Sequence, residues 1–142
     1  MLTVTQYGEP LDPSKYTLEG NIFRCIEDSI IINCNTTDMT FYIGDDCSVT
    51  SVGGCNFISG SSCVFNTWGD CNFISSSSCV FITWGDCTFD TWSDCVFKVL
   101  SDCTLKTSHR CVISCCNNTP QILKEGYFVT KDSNGYIPKE FE

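Results

Sequence analysis

Apolar residues recur at a step of eight through most of this chain. Written from each cysteine, successive octads read CNFISGSS, CVFNTWGD, CNFISSSS, CVFITWGD, CTFDTWSD, CVFKVLSD and CTLKTSHR. Position 1 is Cys47, Cys55, Cys63, Cys71, Cys79, Cys87, Cys95, Cys103 and Cys111. Position 3 is Phe41, Val49, Phe57, Phe65, Phe73, Phe81, Phe89, Phe97, Leu105 and Ile113. Position 5 is mostly small, as in Ser51, Thr67, Ser75, Thr83 and Thr91, and positions 6 to 8 are rich in Ser, Gly and Asp. In an extended chain positions 1, 3 and 5 share one face, and the last three are turn residues. Each octad therefore predicts a strand of about five residues and a corner of three; no helical period is present.

A fixed period of this kind marks a repeat architecture. One octad spans only about 26 Å at roughly 3.3 Å per residue, and a ring of that perimeter has no room for Phe. Two octads span about 53 Å, which suits two strands on either side of a thin core. The chain also doubles its own pattern: CNFISGSS returns after sixteen residues as CNFISSSS, and CVFNTWGD as CVFITWGD. The predicted fold is all-β, a two-sided β-solenoid with sixteen residues per coil and about six coils. Phe57, Phe73 and Phe89 then form one ladder and Phe65, Phe81 and Phe97 the facing one, with each Cys opposite a Ser or Thr. The expected core is Cys55, Phe57, Cys63, Phe65, Cys71, Phe73, Cys79, Phe81, Cys87, Phe89, Cys95 and Phe97.

The octad frame runs from residue 23 to 118, with Met39, Ile31 and Phe23 in the cysteine position of its first three members. Residues 1–22 and 119–142 depart from it. Each end segment reads as short strands: Leu2–Thr5 before Pro10 and Pro13, then Tyr127–Thr130 and Tyr136-Ile137 around Asn134-Gly135. A solenoid has open edges, so the segments serve either as caps or as joints between subunits. Val4, Tyr7, Tyr127, Phe128, Tyr136 and Ile137 are the expected joint residues, because the aromatics exceed what a small cap needs.

The chain has 142 residues, one domain by length, and a formal charge of −9. Its basic residues do not cluster, which argues against nucleic acid as a partner. No apolar run approaches a membrane span. MLTVTQYGEP lacks the basic and apolar regions of a signal peptide. The expected location is extracellular or virion-associated. Thirteen cysteines suggest three readings. The first is a small buried hydrophobe beside the Phe ladder. The second is a disulfide between coils, such as Cys55–Cys71. The third is metal ligation, which the absence of CxxC disfavours. No metal or other cofactor is expected.

Outward positions differ between the sheets. One carries Thr40, Asn56, Asn72, Thr88 and Thr104. The other carries Ser48, Val64, Val80, Val96 and Val112, an apolar stripe expected to form an interface. Trp68 and Trp84, one coil apart, should stack at a corner, with Trp92 in a later corner. Asp70, Asp86, Asp94 and Asp102 read as turn caps rather than a calcium site. Nothing reads as catalytic. The single histidine, His109, stands beside Arg110 and near Cys111 with no third orienting group, and no phosphate loop, HExxH or GxSxG motif occurs.

Residues 39–118 resemble the Cys-x-Phe octapeptide-repeat β-solenoid proteins of tailed-phage and environmental microbial genomes. The resemblance implies a stacked, fibre-like β-solenoid and transfers no catalytic residue. The expected function is structural: a homopolymer that joins head to tail into a fibre. The alternative is a phage fibre or adhesin-like module that contacts surface glycans through Trp68 and Trp84. A third reading, ice binding, needs a flat outward Thr array, whereas most octad threonines sit at inward position 5.

Overall fold

The computed structural model describes residues 2–92 and 94–99 in full and the backbone of five later strands. The chain opens with β1 (Leu2–Gln6), β2 (Glu9–Pro10), a 3-10 turn at Pro13–Lys15 and β3 (Tyr16–Glu19). The solenoid strands follow: β4 (Ile22–Cys25), β5 (Ile30–Cys34), β6 (Thr40–Ile43), β7 (Ser48–Ser51), β8 (Asn56–Ser59) and β9 (Val64–Thr67). They continue as β10 (Asn72–Ser75), β11 (Val80–Thr83), β12 (Cys87–Thr91), β13 (Val96–Val99), β14 (Cys103–Thr107) and β15 (Cys111–Cys115). The chain closes with β16 (Gln121–Leu123), β17 (Tyr127–Asp132) and β18 (Gly135–Glu140).

Successive strands alternate between two sheets. One sheet runs β16-β15-β13-β11-β9-β7-β5-β1-β2 and the other β18-β17-β14-β12-β10-β8-β6-β4-β3. The solenoid strands within each sheet are parallel: six strands from β5 to β15 in one, and six from β4 to β14 in the other. From β6 and β7 onward the register is sixteen residues, as in Phe57↔Phe73, Phe65↔Phe81 and Val80↔Val96. This is the predicted two-sided coil. Coils are linked by bonds such as Asn72 N–H to Cys55 O at 3.1 Å and Val80 N–H to Cys63 O at 2.9 Å.

The core is the strip between the sheets. Phe57, Phe65, Phe73, Phe81, Phe89 and Phe97 are almost fully buried, as are the cysteines from Cys55 to Cys95. Within a ladder the rings lie nearly parallel, with centroids 5.0 Å apart for Phe73–Phe89 and 4.9 Å for Phe81–Phe97. Across the core they meet edge to face, at 5.0 Å and 70° for Phe73–Phe81. Burying each ring contributes about 1.5–3 kcal/mol, and each aromatic pair adds about 0.5–1.5 kcal/mol.

The uniform octad frame fails in the first coil. Phe23 pairs with Phe41, eighteen residues on, and Ile31 with Ser48, seventeen on. Phe23 and Ile32 therefore occupy the ladder position, and Ile31 points outward, 45% exposed. The cause is corner length. Residues 26–29 and 35–38 make corners of four residues rather than three.

The two kinds of corner solve the turn differently. Corners leading into β7, β9, β11 and β13 place Asp46, Ser62, Ser78 and Asp94 in the left-handed region, with φ between 57° and 61°. The opposite corners stack Gly53, Gly69 and Gly85. A Cβ on Gly69 would run into the backbone of Gly53 and Gly54, and one on Gly85 into Gly69. Glycine is required there because neighbouring coils touch backbone to backbone.

Both tails fold back as antiparallel strands on the ends of their own sheets. At the first end β1 pairs with β5 and β3 with β4. At the other, β16 pairs with β15, β17 with β14, and β18 with β17. Leu2, Val4 and Tyr16 pack on the core, Tyr16 with its ring 5.3 Å from Phe23. Leu11 is buried, and its N–H donates to Val4 O at 3.0 Å.

Candidate functional site

Chemistry-bearing side chains in this chain are held in columns, one member per coil. The largest column set is the thiols. All nine described cysteines, from Cys25 to Cys95, are buried and free. They pack as the small hydrophobes expected, but they have a second task invisible in the sequence. Each thiol from Cys55 to Cys95 donates to a corner carbonyl of the preceding coil. Cys63 Sγ reaches Gly44 O at 3.2 Å, Cys79 reaches Gly60 O at 3.4 Å, and Cys95 reaches Ser76 O at 3.5 Å. On the other side Cys71 reaches Gly53 O and Cys87 reaches Gly69 O, both at 3.7 Å. A corner carbonyl buried beneath the next coil needs a donor. Alanine would fill most of the volume and supply none.

Burial sets the acidity of these groups. Desolvation pushes Cys55 up to about 12 and raises Cys25 as well. Farther along, thiols of neighbouring coils act on each other. Cys71 is drawn down by its neighbour Cys87, while Cys63 is pushed up by Cys47 and Cys79 on either side. These shifts belong to the pair. Desolvation raises every member of these pairs. Hydroxyls face the thiols across the core as expected: Thr67 and Ser51 act on Cys71, Ser75 on Cys79 and Thr83 on Cys87. None of the four makes a hydrogen bond of ordinary geometry.

Two results are expected. Ellman's reagent should label none of these nine thiols in the native protein, although all react in guanidinium; rapid native labelling of more than the four at 103, 111, 115 and 116 would contradict it. Cys55 has a folded pKa above its unfolded value of 9.0, so it stabilises the fold while protonated. That contribution is complete below pH 9 and lost as pH rises toward 12. The thermal midpoint of the wild type should therefore fall over that window, and less steeply in Cys55→Ala.

Trp68 and Trp84 stack as expected, with centroids 4.7 Å apart and planes at 2°. They are 45% and 37% exposed. Each therefore covers one face of the other, and the column continues the corner begun by Val52. Trp92 lies in the opposite corner and is exposed. The carboxylates cap turns: Asp70 Oδ1 accepts from Asp86 N–H and Asp45 Oδ1 from Ser61 N–H, both at 2.8 Å across one coil. Among the described residues no three metal-ligating side chains converge. The side chains of Asp102, His109, Arg110 and Cys111 lie outside the described residues.

The expected interface column is in register, Val64↔Val80↔Val96↔Val112. Val64 and Val96 are exposed and Val80 is half-buried; the side chain of Val112 lies outside the described residues. On the other sheet Asn72 Nδ2 donates to Asn56 Oδ1 at 2.8 Å. A surface groove of about 480 Å³, lined by Arg24, Tyr42, Ile58 and Ile26, also escaped sequence reasoning. The Arg24 guanidinium sits 4.8 Å over the Tyr42 ring. Of the expected joint residues, Val4 packs inward on β5 and Tyr7 is exposed in the turn after β1, at φ 52°. Tyr127 and Phe128 fall on β17, and Tyr136 and Ile137 on β18; their side chains lie outside the described residues. No family model matches the chain, and no curated protein or solved structure is significantly similar to it.

Proposed function

We propose that this chain is a structural protein without catalytic activity: a short, stiff β-solenoid rod, closed at both ends, that works in an extracellular or virion-associated assembly. One observation carries the reading. Both ends of both sheets are covered by antiparallel strands of the same chain, and the outer strands are short or contain proline, as at Pro10 and Pro138. Parallel coils of a second copy cannot continue directly onto an antiparallel end strand in the solenoid register. Short strands and edge prolines are also how sheets avoid pairing with further chains. The end segments thus favour a discrete rod over a filament that grows by coil stacking. Inside, the described inward positions are occupied by packing residues, which supports a scaffold rather than a pocket.

Glycan binding ranks second. Trp68 and Trp84 are exposed, but they spend a face on each other, and sugars stack on open aromatic faces. An ice-binding array is not supported on the described sheet faces. Thr67, Thr83 and Thr91 are buried, and Asn56 and Asn72 separate outward Thr40 from Thr88. Electron microscopy of the purified protein tests the leading reading. Discrete particles only a few nanometres long are expected. Long uniform filaments with a repeat near 4.8 Å, the strand spacing, would return the end segments to the role of joints.

A further inference from the structure

The sheet containing β11 has the outward face of an interface, and the charges around it indicate its occupant. Along β11 the outward residues are Val80 and Ile82, followed at the corner by Trp84. The rung below carries Val64 and Asn66, and the rung above Val96 and Lys98. The acidic side chains beside these strands stand in the corners, as at Asp28, Asp38, Asp45, Asp46, Asp70, Asp86 and Asp94. Lys98 is the only charged residue among the outward positions of β5, β7, β9, β11 and β13. The opposite sheet is less suitable: one outward column is mostly Thr and Asn, and the other, with Tyr42, Ile58 and Ile74, also carries the charged Arg24 and Asp90. For a chain of charge −9, the face without carboxylates is where two copies approach with least repulsion.

We propose that this face pairs with the same face of a second copy, the two rods lying side by side and antiparallel. The twofold axis runs along β11. It sets Val80 and Ile82 against their own counterparts and exchanges the rungs above and below. Val96 of each copy then covers Val64 of the other. Lys98 of each copy lies over Asn66 of the other. The arrangement is isologous and closes at two copies. Five rungs at about 4.8 Å and three columns about 7 Å apart make a face of roughly 500 Å² per copy, about 1,000 Å² in the pair, at the low end for a specific interface. A dissociation constant of about 10–100 µM is expected. The pairing does not depend on the ends being closed, since it uses only the flank of the rod.

Sedimentation equilibrium of the full chain tests it. Wild type should move from monomer to dimer across that range, and Val80→Lys should stay monomeric. Because Val80→Lys alters a half-buried site, the decisive set is at position 66, with folding checked by circular dichroism. Asn66→Asp gives Lys98 a carboxylate partner across the interface and should tighten the dimer about three- to fivefold. Asn66→Lys should weaken it by at least as much, and Asn66→Lys with Lys98→Asp should recover wild-type affinity. A wild type monomeric at several hundred micromolar overturns the proposal. So does a shift of the same sign in Asn66→Asp and Asn66→Lys, or association that continues past two copies. Filaments that persist unchanged in Asn66→Lys would count against the closed-end reading and against this interface separately.

Discussion

Phe81→Asp is expected to leave no folded protein. Phe81 is fully buried and touches four other rings. Phe65 and Phe97 stack on it within its ladder, at 5.1 and 4.9 Å. Phe73 and Phe89 meet it edge-on across the core, at 5.0 and 5.1 Å. Truncating such a residue to Ala costs about 3–5 kcal/mol. A carboxylate there adds the penalty of an unpaired charge in an apolar strip only one side chain deep on each side. The sum approaches or exceeds the whole stability of a typical domain, about 5–15 kcal/mol. The expected readout is insoluble protein, or a soluble chain without the β-sheet circular dichroism of the wild type. Phe81→Leu should remain folded with a lowered thermal midpoint, which separates the effect of charge from that of position. A soluble, β-rich Phe81→Asp protein melting within a few degrees of wild type would refute the inward ladder.

The ladder was legible because it is periodic. A sixteen-residue step repeats identical residues at identical depth, so pairing, sidedness and the Trp68–Trp84 stack all follow from counting. What breaks the count was not legible. One extra residue in each of the corners at 26–29 and 35–38 leaves the neighbouring strands looking like degenerate octads, and only the pairing of Phe23 with Phe41 reveals the shift. The second task of the thiols was also hidden. Cys63 and the Gly44 carbonyl it satisfies are nineteen residues apart, in different coils and on opposite sides of a turn. No local pattern records that contact. The end segments were recognisable as strands, but antiparallel pairing on an edge has no period to announce its partner.

Removal of residues 1–20 is expected to make the chain aggregate. The deletion uncovers the edges of β4 and β5 together. It removes β1 from its five-residue register with β5, from Leu2↔Cys34 to Gln6↔Ile30, and β3 from its pairing with β4. It also takes Leu2, Val4, Tyr16 and Leu11 off the end of the core, where they shield Phe23 and Ile32. What remains exposed is the open end of a parallel stack whose next natural neighbour is another strand in register. Such edges are templates for further pairing, and in-register ladders of Phe and Asn favour stacked growth. Light scattering should rise with concentration in the truncated protein but not in the intact one, with thioflavin T fluorescence following. Replacing only Leu2 and Val4 with Ser keeps the covering strand but strips its apolar side. It should lower the thermal midpoint by several degrees without inducing growth. A truncated protein that stays monomeric with an unchanged midpoint would show that the first tail neither seals the core nor guards the sheet edges. The closed-end account would then have lost its support at the end sealed by Leu11 and Tyr16.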